Sequence, residues 1–365
     1  MHFFKSVDGV LLFAVTLLVV GGLFIFLSAS LGLLARDGAQ FSDVALSQLV
    51  LGLGGGFLAM LVAVSVPYRF WKKYSLALFI LALIATALVF TPLGLELNGA
   101  KRWLLLGPFT FQTSEALKVA YVLYLATWLS NVQRKINRPL LGLVPFFAIT
   151  GIVGLLLLLQ PDTDTFLITA AAGGAMFFAA GAKMRDIAII ILIIVLGLSI
   201  LVTQRSYLLD RVQTFFDPSS DPRGTSYQLQ QSLLAIGAGE LTGRGFGQSI
   251  QKFGKLPEPI SDSIFSVFAE EFGFLGSITL ITAFLVFGLR GLWIAARAPD
   301  LFGGLLSLGI VILIVTQAFF NIAAMLGLLP LSGLPLPFVS HGGSALLIAL
   351  GMVGLLMSVS RHVRS

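Results

Sequence analysis

The chain has 365 residues, of which 57% are hydrophobic and 11% charged, with a mean hydropathy of +0.97. A soluble domain carries roughly a quarter charged residues, so this composition excludes a soluble globular protein and implies an integral membrane one. Cysteine is absent, which removes disulfides and thiolate metal sites, and the net charge of +6 follows membrane topology rather than a nucleic-acid surface.

A spanning helix needs about 20 apolar residues to cross a hydrocarbon core about 30 Å thick. Such runs recur near 7–34, 45–66, 74–92, 113–131, 139–159, 164–181, 186–203, 263–288, 301–326 and 339–359. The implied fold class is an all-α polytopic bundle of about ten transmembrane helices, one transmembrane domain over 1–365 with no separate soluble domain. The first run is too long for the h-region of a cleavable signal peptide and lacks an A-x-A exit, so it is read as a retained span. Gly52, Gly54, Gly55 and Gly56 in the second run suggest close helix packing.

Sorting the loops by Lys and Arg gives a clear asymmetry. One side holds Lys5, then Arg69, Lys72 and Lys73, then Arg134, Lys135 and Arg138, then Lys183 and Arg185, then Arg290 and Arg297, then Arg361 and Arg364. The other side holds only Arg36, Lys101 and Arg102 in its short loops. The positive-inside rule makes the first side, with both termini, cytoplasmic.

Before and within the fourth span, "SEALKVAYV" sets Glu115 and Lys118 three residues apart on one helical face. They form either an intrahelical ion pair or, with Lys101 and Arg102, a cationic site for a phosphate-bearing lipid. The fifth-to-sixth turn reads "LLLQPDTDTFLI", where Asp162 and Asp164 formally match the D-x-D metal pattern of nucleotide-sugar transferases. No strand–helix alternation accompanies it, so helix capping after Pro161 is the preferred reading.

One long polar segment, 204–262, falls on the extracytoplasmic side and exceeds the roughly 12–15 residues beyond which a loop is a functional suspect. Within it, "YLLDRVQTFFDPSSDPRG" reads as a short amphipathic piece ending in turns, and "SYQLQQSLLAIGAG" as a short helix that lies in the interface or re-enters. "GELTGRGFGQSIQKFGK" is Gly-rich and basic but lacks P-loop spacing, so it is only a weak anion-site candidate. Asp262 follows at the first turn of the eighth span, either as a helix N-cap or as a partly desolvated base with a raised pKa. Glu270 and Glu271 lie two turns deeper, where ionisable groups mark a functional path or pair with buried partners. In the last turn, Ser340, His341 and Ser344 are too local to define a catalytic triad, and tight packing by small residues is preferred.

Four ordered stretches carry a family resemblance: "NGAKRWLLLGPFTFQTSEALK" (98–118), "QPDTDT" (160–165), "DPRGTSYQLQQSLLAIGAGELTGRGFGQSIQKFGKLPEPISDSIFSVFAEEFGFLG" (221–276) and "GLLPLSGLPLPFVSHGGSALL" (327–347). Together they resemble the SEDS family (shape, elongation, division and sporulation), with "GQSIQKFGKLPEP" closer to the division branch. The resemblance implies a bacterial cytoplasmic-membrane enzyme that polymerises lipid II into peptidoglycan strands. The implied partner is a class B penicillin-binding protein, among other divisome or elongasome membrane proteins. The family's essential Asp falls on Asp262, its Ser-Glu-x-x-Lys pattern on Ser114, Glu115 and Lys118, and its Arg-Trp pair on Arg102 and Trp103. Departures are Thr113 for the common Pro, Asp164 for Gly, Ser261 and Ser263 for Thr and Phe, and His341 for Tyr.

On this reading Asp262 is the general base, and Arg102, Glu115, Lys118, Arg211, Lys252 and Lys255 contact substrate, the cations facing the departing pyrophosphate and Glu115 orienting Lys118. Glu270, Glu271, Ser340 and His341 are supporting residues. No cofactor or protein metal site is required, although a divalent cation such as Mg2+ could assist the leaving group. A lipid II flippase or a non-catalytic scaffold would use the same bundle, and loss of Asp262 discriminates among them.

Overall fold

A computed structural model describes residues 7–35, 38–97, 100–107, 109–217 and 225–363. Lys5, Arg36 and Arg364 of the charge pattern lie outside the described residues, as do residues 98–99 and 108 of the first motif and 218–224 of the long loop.

All ten expected spans are helical. In chain order the helices are α1 (Gly9–Leu34), α2 (Gly38–Leu46) continuing through a π-helical stretch Ser47–Gly55 into α3 (Gly56–Ser65), α4 (Tyr68–Leu88), α5 (Thr113–Val132), α6 (Leu143–Leu159), α7 (Thr163–Ala179), α8 (Met184–Gln204), α9 (Ser206–Phe216), α10 (Thr225–Ala238), α11 (Ile264–Ala296), α12 (Leu301–Met325) and α13 (Gly343–Ser360). Seven of the helical spans are long and apolar enough to cross a bilayer on their own terms, while α6 and α7 are shorter apolar helices of 17 residues each. At 1.5 Å per residue, 17 residues cover about 25 Å, close to the core thickness. The fourth span, α5, carries Glu115 and Lys118 and hides them: both are buried, as are Leu117, Tyr121, Leu125 and Leu129. A helix enclosed by others needs no continuously apolar surface.

The bundle centre is formed by α5, α7, α12 and α13, whereas α8 is peripheral, with 11% of its apolar window buried. Helix α13 packs along α3 at near-backbone distance: a Cβ on Gly56 would lie 2.7 Å from Leu350 Cδ1, and one on Gly354 2.6 Å from the Met60 carbonyl. Gly54, grouped with its neighbours in the sequence, faces no other helix within 4 Å.

Helix α4 starts at Tyr68, directly after Pro67 and six residues before the expected 74, which places Arg69, Lys72 and Lys73 inside its first turns. Their end of the bundle also holds both described chain ends. Asp8 caps α1 through the Leu11 amide and pairs with Arg290 at 2.6 Å, its own amide donates to Ser360 Oγ, and Arg69 pairs with Asp300 at 3.0 Å.

Two features at the opposite end depart from a plain helical bundle. The connection into α5 forms a three-stranded antiparallel sheet, β1 (Gly94–Leu97), β2 (Ala100–Leu106) and β3 (Phe109–Gln112) in that order. It projects Arg102 towards the α6–α7 turn. Helix α11 is also broken at Gly273, at φ 64° and ψ −161°. In an unbroken helix the Phe274 and Leu275 amides would bond to the Glu270 and Glu271 carbonyls. Instead they donate to the Glu240 and Leu241 carbonyls at 2.9 and 3.1 Å, and the freed Glu270 and Glu271 carbonyls accept from the Arg244 and Gly245 amides at 3.0 and 2.9 Å. The Gly-rich loop is therefore spliced into the helix ladder, which keeps every one of these backbone groups paired where water is scarce. This corrects the anion-site expectation for that stretch: its glycines serve close approach, since a Cβ on Gly243 would meet the Glu271 carbonyl at 2.1 Å.

Candidate active site

Asp262 sits in the tight turn that leads into α11. The turn is held by Ser261 and Ser263 amides donating to the Glu258 carbonyl at 3.1 Å each, and Glu258 itself adopts φ 47°. The N-cap of α11 is Ser263, without a side-chain cap bond, and the Asp262 carboxylate accepts from Ser261 Oγ at 3.1 Å rather than from a helix amide. The capping explanation for Asp262 is thus not what the side chain does. Burial pushes its pKa up to about 7, with the nearby Glu258 and Asp164 charges acting in the same direction and Ser261 and Arg211 opposing them.

The turn is braced from two sides. Asn321 of α12 donates through one nitrogen to the carbonyls of Asp262 and Leu334, at 2.8 Å each. Ser340 Oγ donates to the Ser261 carbonyl at 2.7 Å while accepting the Leu336 amide, and the His341 amide donates to the Ile260 carbonyl at 2.8 Å. Ser340 is thereby committed to backbone groups. The His341 ring stacks on Phe26 at 6.0 Å between centroids, so these residues are not arranged as a triad.

Around Asp262 stand the polar groups of the α6–α7 turn and of α9. Arg211 Nη1 donates to Asp164 Oδ2 at 2.9 Å, and the Gly333 amide donates to the same oxygen at 3.1 Å. Tyr207, one turn before Arg211, bonds Thr163 at 2.8 Å. Arg102 reaches from β2 to the Gln160 carbonyl at 3.1 Å and to the Pro161 carbonyl, and lies 3.9 Å from Asp162. Asp162 occupies the cap position of α7 but makes no side-chain cap bond there, and Asp164 bonds an arginine rather than a helix amide, so the capping reading of this pair is corrected. The two carboxylates of the D-x-D sequence address different arginines, and among the described residues no three His, Cys, Asp or Glu side chains converge as a metal-binding group.

The remaining expected substrate contacts divide by burial. Arg102 and Arg211 keep 22% and 25% of their side chains exposed, and Lys255 is exposed. Lys118 is 1% exposed, its ammonium bonded to Glu115 Oε1 and Gln317 Oε1 at 2.9 Å each, beside a cavity of about 20 Å³ lined by Glu115, Gln317 and Ser340. Lys252 is equally enclosed: its ammonium bonds Glu271 at 2.7 Å and Ser28 at 3.0 Å. Neither lysine faces open space, so direct substrate contact through Lys118 or Lys252 is corrected to an internal structural role. Glu270 accepts from Ser249 Oγ at 2.6 Å and from the Ile250 and Gln251 amides, so both glutamates fasten the loop to the broken helix.

Sequence reasoning passed over Asn321 and Gln317. Their signal was present: two amides four residues apart, hence on one face, in an otherwise apolar span.

Comparison with known proteins places this geometry among relatives. The cell cycle protein family model of FtsW, RodA and SpoVE matches residues 9–365. The chain is 40% identical over 310 residues to a probable peptidoglycan glycosyltransferase FtsW of Geobacter sp. (strain M18), covering 85% of this chain and 84% of that one. It is 38% identical over 312 residues to stage V sporulation protein E of Bacillus subtilis (strain 168), covering 85% of each. Among solved structures, the rod shape determining protein RodA of Thermus thermophilus superposes with a TM-score of 0.70 at 28% identity over 99% of both chains. A chain from a peptidoglycan synthase complex that coordinates polymerization and crosslinking gives 0.79 at 27% over 98% of both.

Proposed function

Since the chain belongs to the FtsW/RodA/SpoVE family of cell cycle proteins, we infer that it is a multi-pass membrane peptidoglycan glycosyltransferase that polymerises lipid II. The Lys- and Arg-rich end faces the cytoplasm with both termini, and glycan synthesis takes place at the opposite end, where Asp262, Arg211 and Arg102 gather. A class B penicillin-binding protein acts beside it, a reading supported by the likeness to a chain from a complex that couples polymerization to crosslinking.

The observation that carries the mechanism is Asp262 itself: a carboxylate free of helix capping, with its pKa pushed up to about 7, at a braced turn. A base near neutrality combines a deprotonated fraction with real proton affinity and contributes typically about 10²–10⁴-fold. Asp262 takes the proton of the acceptor sugar's 4-hydroxyl as that oxygen attacks the donor's anomeric carbon. The bond from that carbon to the lipid pyrophosphate breaks with its electron pair leaving on the phosphate oxygen, and the configuration inverts. Arg102 and Arg211, the partly exposed cations of this end, stabilise the departing charge. An apolar groove of about 450 Å³ between α3, α4, α5 and α13, lined by Val62, Leu78, Ala82 and Leu355, suits a polyprenyl chain.

The test is polymerisation of purified lipid II by the protein with its cognate penicillin-binding protein. Asp262→Asn and Asp262→Ala, folded and partner-bound, should lose at least about 10²-fold in rate. Undiminished polymer from both variants would remove the base assignment and favour transport or scaffolding.

A further inference from the structure

One carboxylate beside the proposed base has no part in the mechanism above. Asp164 stands in the first turn of α7, with 17% of its side chain exposed. A single oxygen, Oδ2, receives both Arg211 Nη1 and the Gly333 amide, so it joins three separate parts of the chain: α7, α9 and the loop between α12 and α13. Gly333 borders both Asp262 and Arg211, since a Cβ placed on it would stand 3.7 Å from Asp262 Oδ2 and 3.8 Å from Arg211 Nη2. Arg211 is nevertheless paired within 4.0 Å to Asp164, and Asp262 has no ion pair among the described residues.

We propose that Asp164 is a positioning residue that captures the Arg211 guanidinium and thereby keeps Asp262 from being neutralised by a direct ion pair. The proposal rests on the reading of Asp262 as general base. Two carboxylates compete here for one guanidinium. Asp164 has the advantage of a helix N-terminus, where negative charge is favoured, and of an additional backbone donor from Gly333. Captured in this way, Arg211 remains close enough to meet a pyrophosphate but does not quench the base. The charged groups that face Asp262 are Glu258 on its own turn, Arg211 on α9 and Asp164 on α7, so removing Asp164 deletes one of two negative neighbours and releases the positive one.

The experiment is the pH dependence of kcat/KM for lipid II polymerisation by the complete protein with its transpeptidase partner. It compares wild type, Asp164→Asn, Asp164→Glu, Asp164→Asn combined with Arg211→Gln, and Asp262→Asn. Asparagine keeps the shape and the acceptor oxygen but not the charge. With Asp164→Asn the acid limb should move down by about 1–3 pH units, the span expected when an opposite charge closes on a carboxylate, and the plateau should fall about tenfold or more, as a weaker base transfers protons less well. Asp164→Glu should return the limb towards wild type, and so should removal of the freed guanidinium in the double variant. A plateau lowered at every pH with an unmoved limb would overturn the proposal and make Asp164 a merely structural contact. Failure of the base reading has a separate signature: an Asp262→Asn enzyme with the wild-type rate and profile. Melting temperatures of the variants, compared at one pH, identify any loss that comes from folding instead.

Discussion

The pairing of Lys252 with Glu271 gives the sharpest stability prediction. The ammonium lies 2.7 Å from Glu271 Oε1 and 3.0 Å from Ser28 Oγ, with 0% of the lysine and 1% of the glutamate side chain exposed. Ser28 Oγ in turn donates to the same carboxylate, at 2.7 and 2.6 Å to its two oxygens. Removing one member of such a pair leaves a charge in a dry environment, which costs about 3–5 kcal/mol, whereas replacing both by neutral groups of similar size is often nearly neutral. Glu271→Gln and Lys252→Met should therefore each lower stability by about 3–5 kcal/mol, and the double variant should lose less than either single one. Thermal denaturation of the detergent-solubilised protein measures this, and limited proteolysis across 239–258 reports whether the loop has come free of α11. Singles that lose under about 1 kcal/mol, or a double variant whose loss is the sum of the two, would refute the claim that the pair is a desolvated unit.

Two further outcomes follow from the same end of the molecule. Gly273→Ala should prevent stable folding, because φ 64° with ψ −161° is open essentially to glycine and the new Cβ would lie 2.4 Å from the Gly243 nitrogen; expression and size-exclusion behaviour check this, and a monodisperse variant would contradict the splice. Asp262→Asn should be more stable than wild type above pH 7, with the difference shrinking as pH falls from about 7 towards 4. A carboxyl whose folded pKa is raised from 3.8 to about 7 binds its proton more tightly in the folded state, so stability is full below the unfolded pKa and declines as pH rises through the folded one. Melting curves across pH 4–8 test the sign, and a variant less stable than wild type at pH 8 would contradict the desolvation of Asp262.

The spans were legible because hydrocarbon imposes one rule on every residue that crosses it, and that rule leaves a long apolar run in the sequence. The placement of Asp262 was legible because a charged group stands out at the edge of such a run, and that of Arg211 because it lies in the one long polar segment. The sheet of Gly94–Gln112 was not, since its strands are short and their pairing is decided by a few residues at a helix end. The fate of Lys252 was hidden for another reason: a lysine written in a loop looks exposed until its carboxylate partner is known. The partner of Lys118 was legible three residues away, though the burial of the pair was not, whereas that of Lys252 lay 19 residues on, just before the break at Gly273.

A common physical requirement links these buried groups to the site. Irregular backbone at a bundle end must be satisfied by protein where water is excluded, and α12 meets that need with two amides. Asn321 holds the carbonyls of Asp262 and Leu334, while Gln317 Nε2 holds the Pro335 carbonyl at 2.8 Å and its Oε1 receives Lys118. The Glu115–Lys118 pair thereby fixes which way the Gln317 amide points, since only an oxygen can face the ammonium. With the amide so oriented, its nitrogen is directed to the Pro335 carbonyl, and the loop that carries Gly333 and Ser340 is set against the turn of Asp262. An ion pair buried in α5 thus removes one rotational choice from a side chain that braces the candidate site.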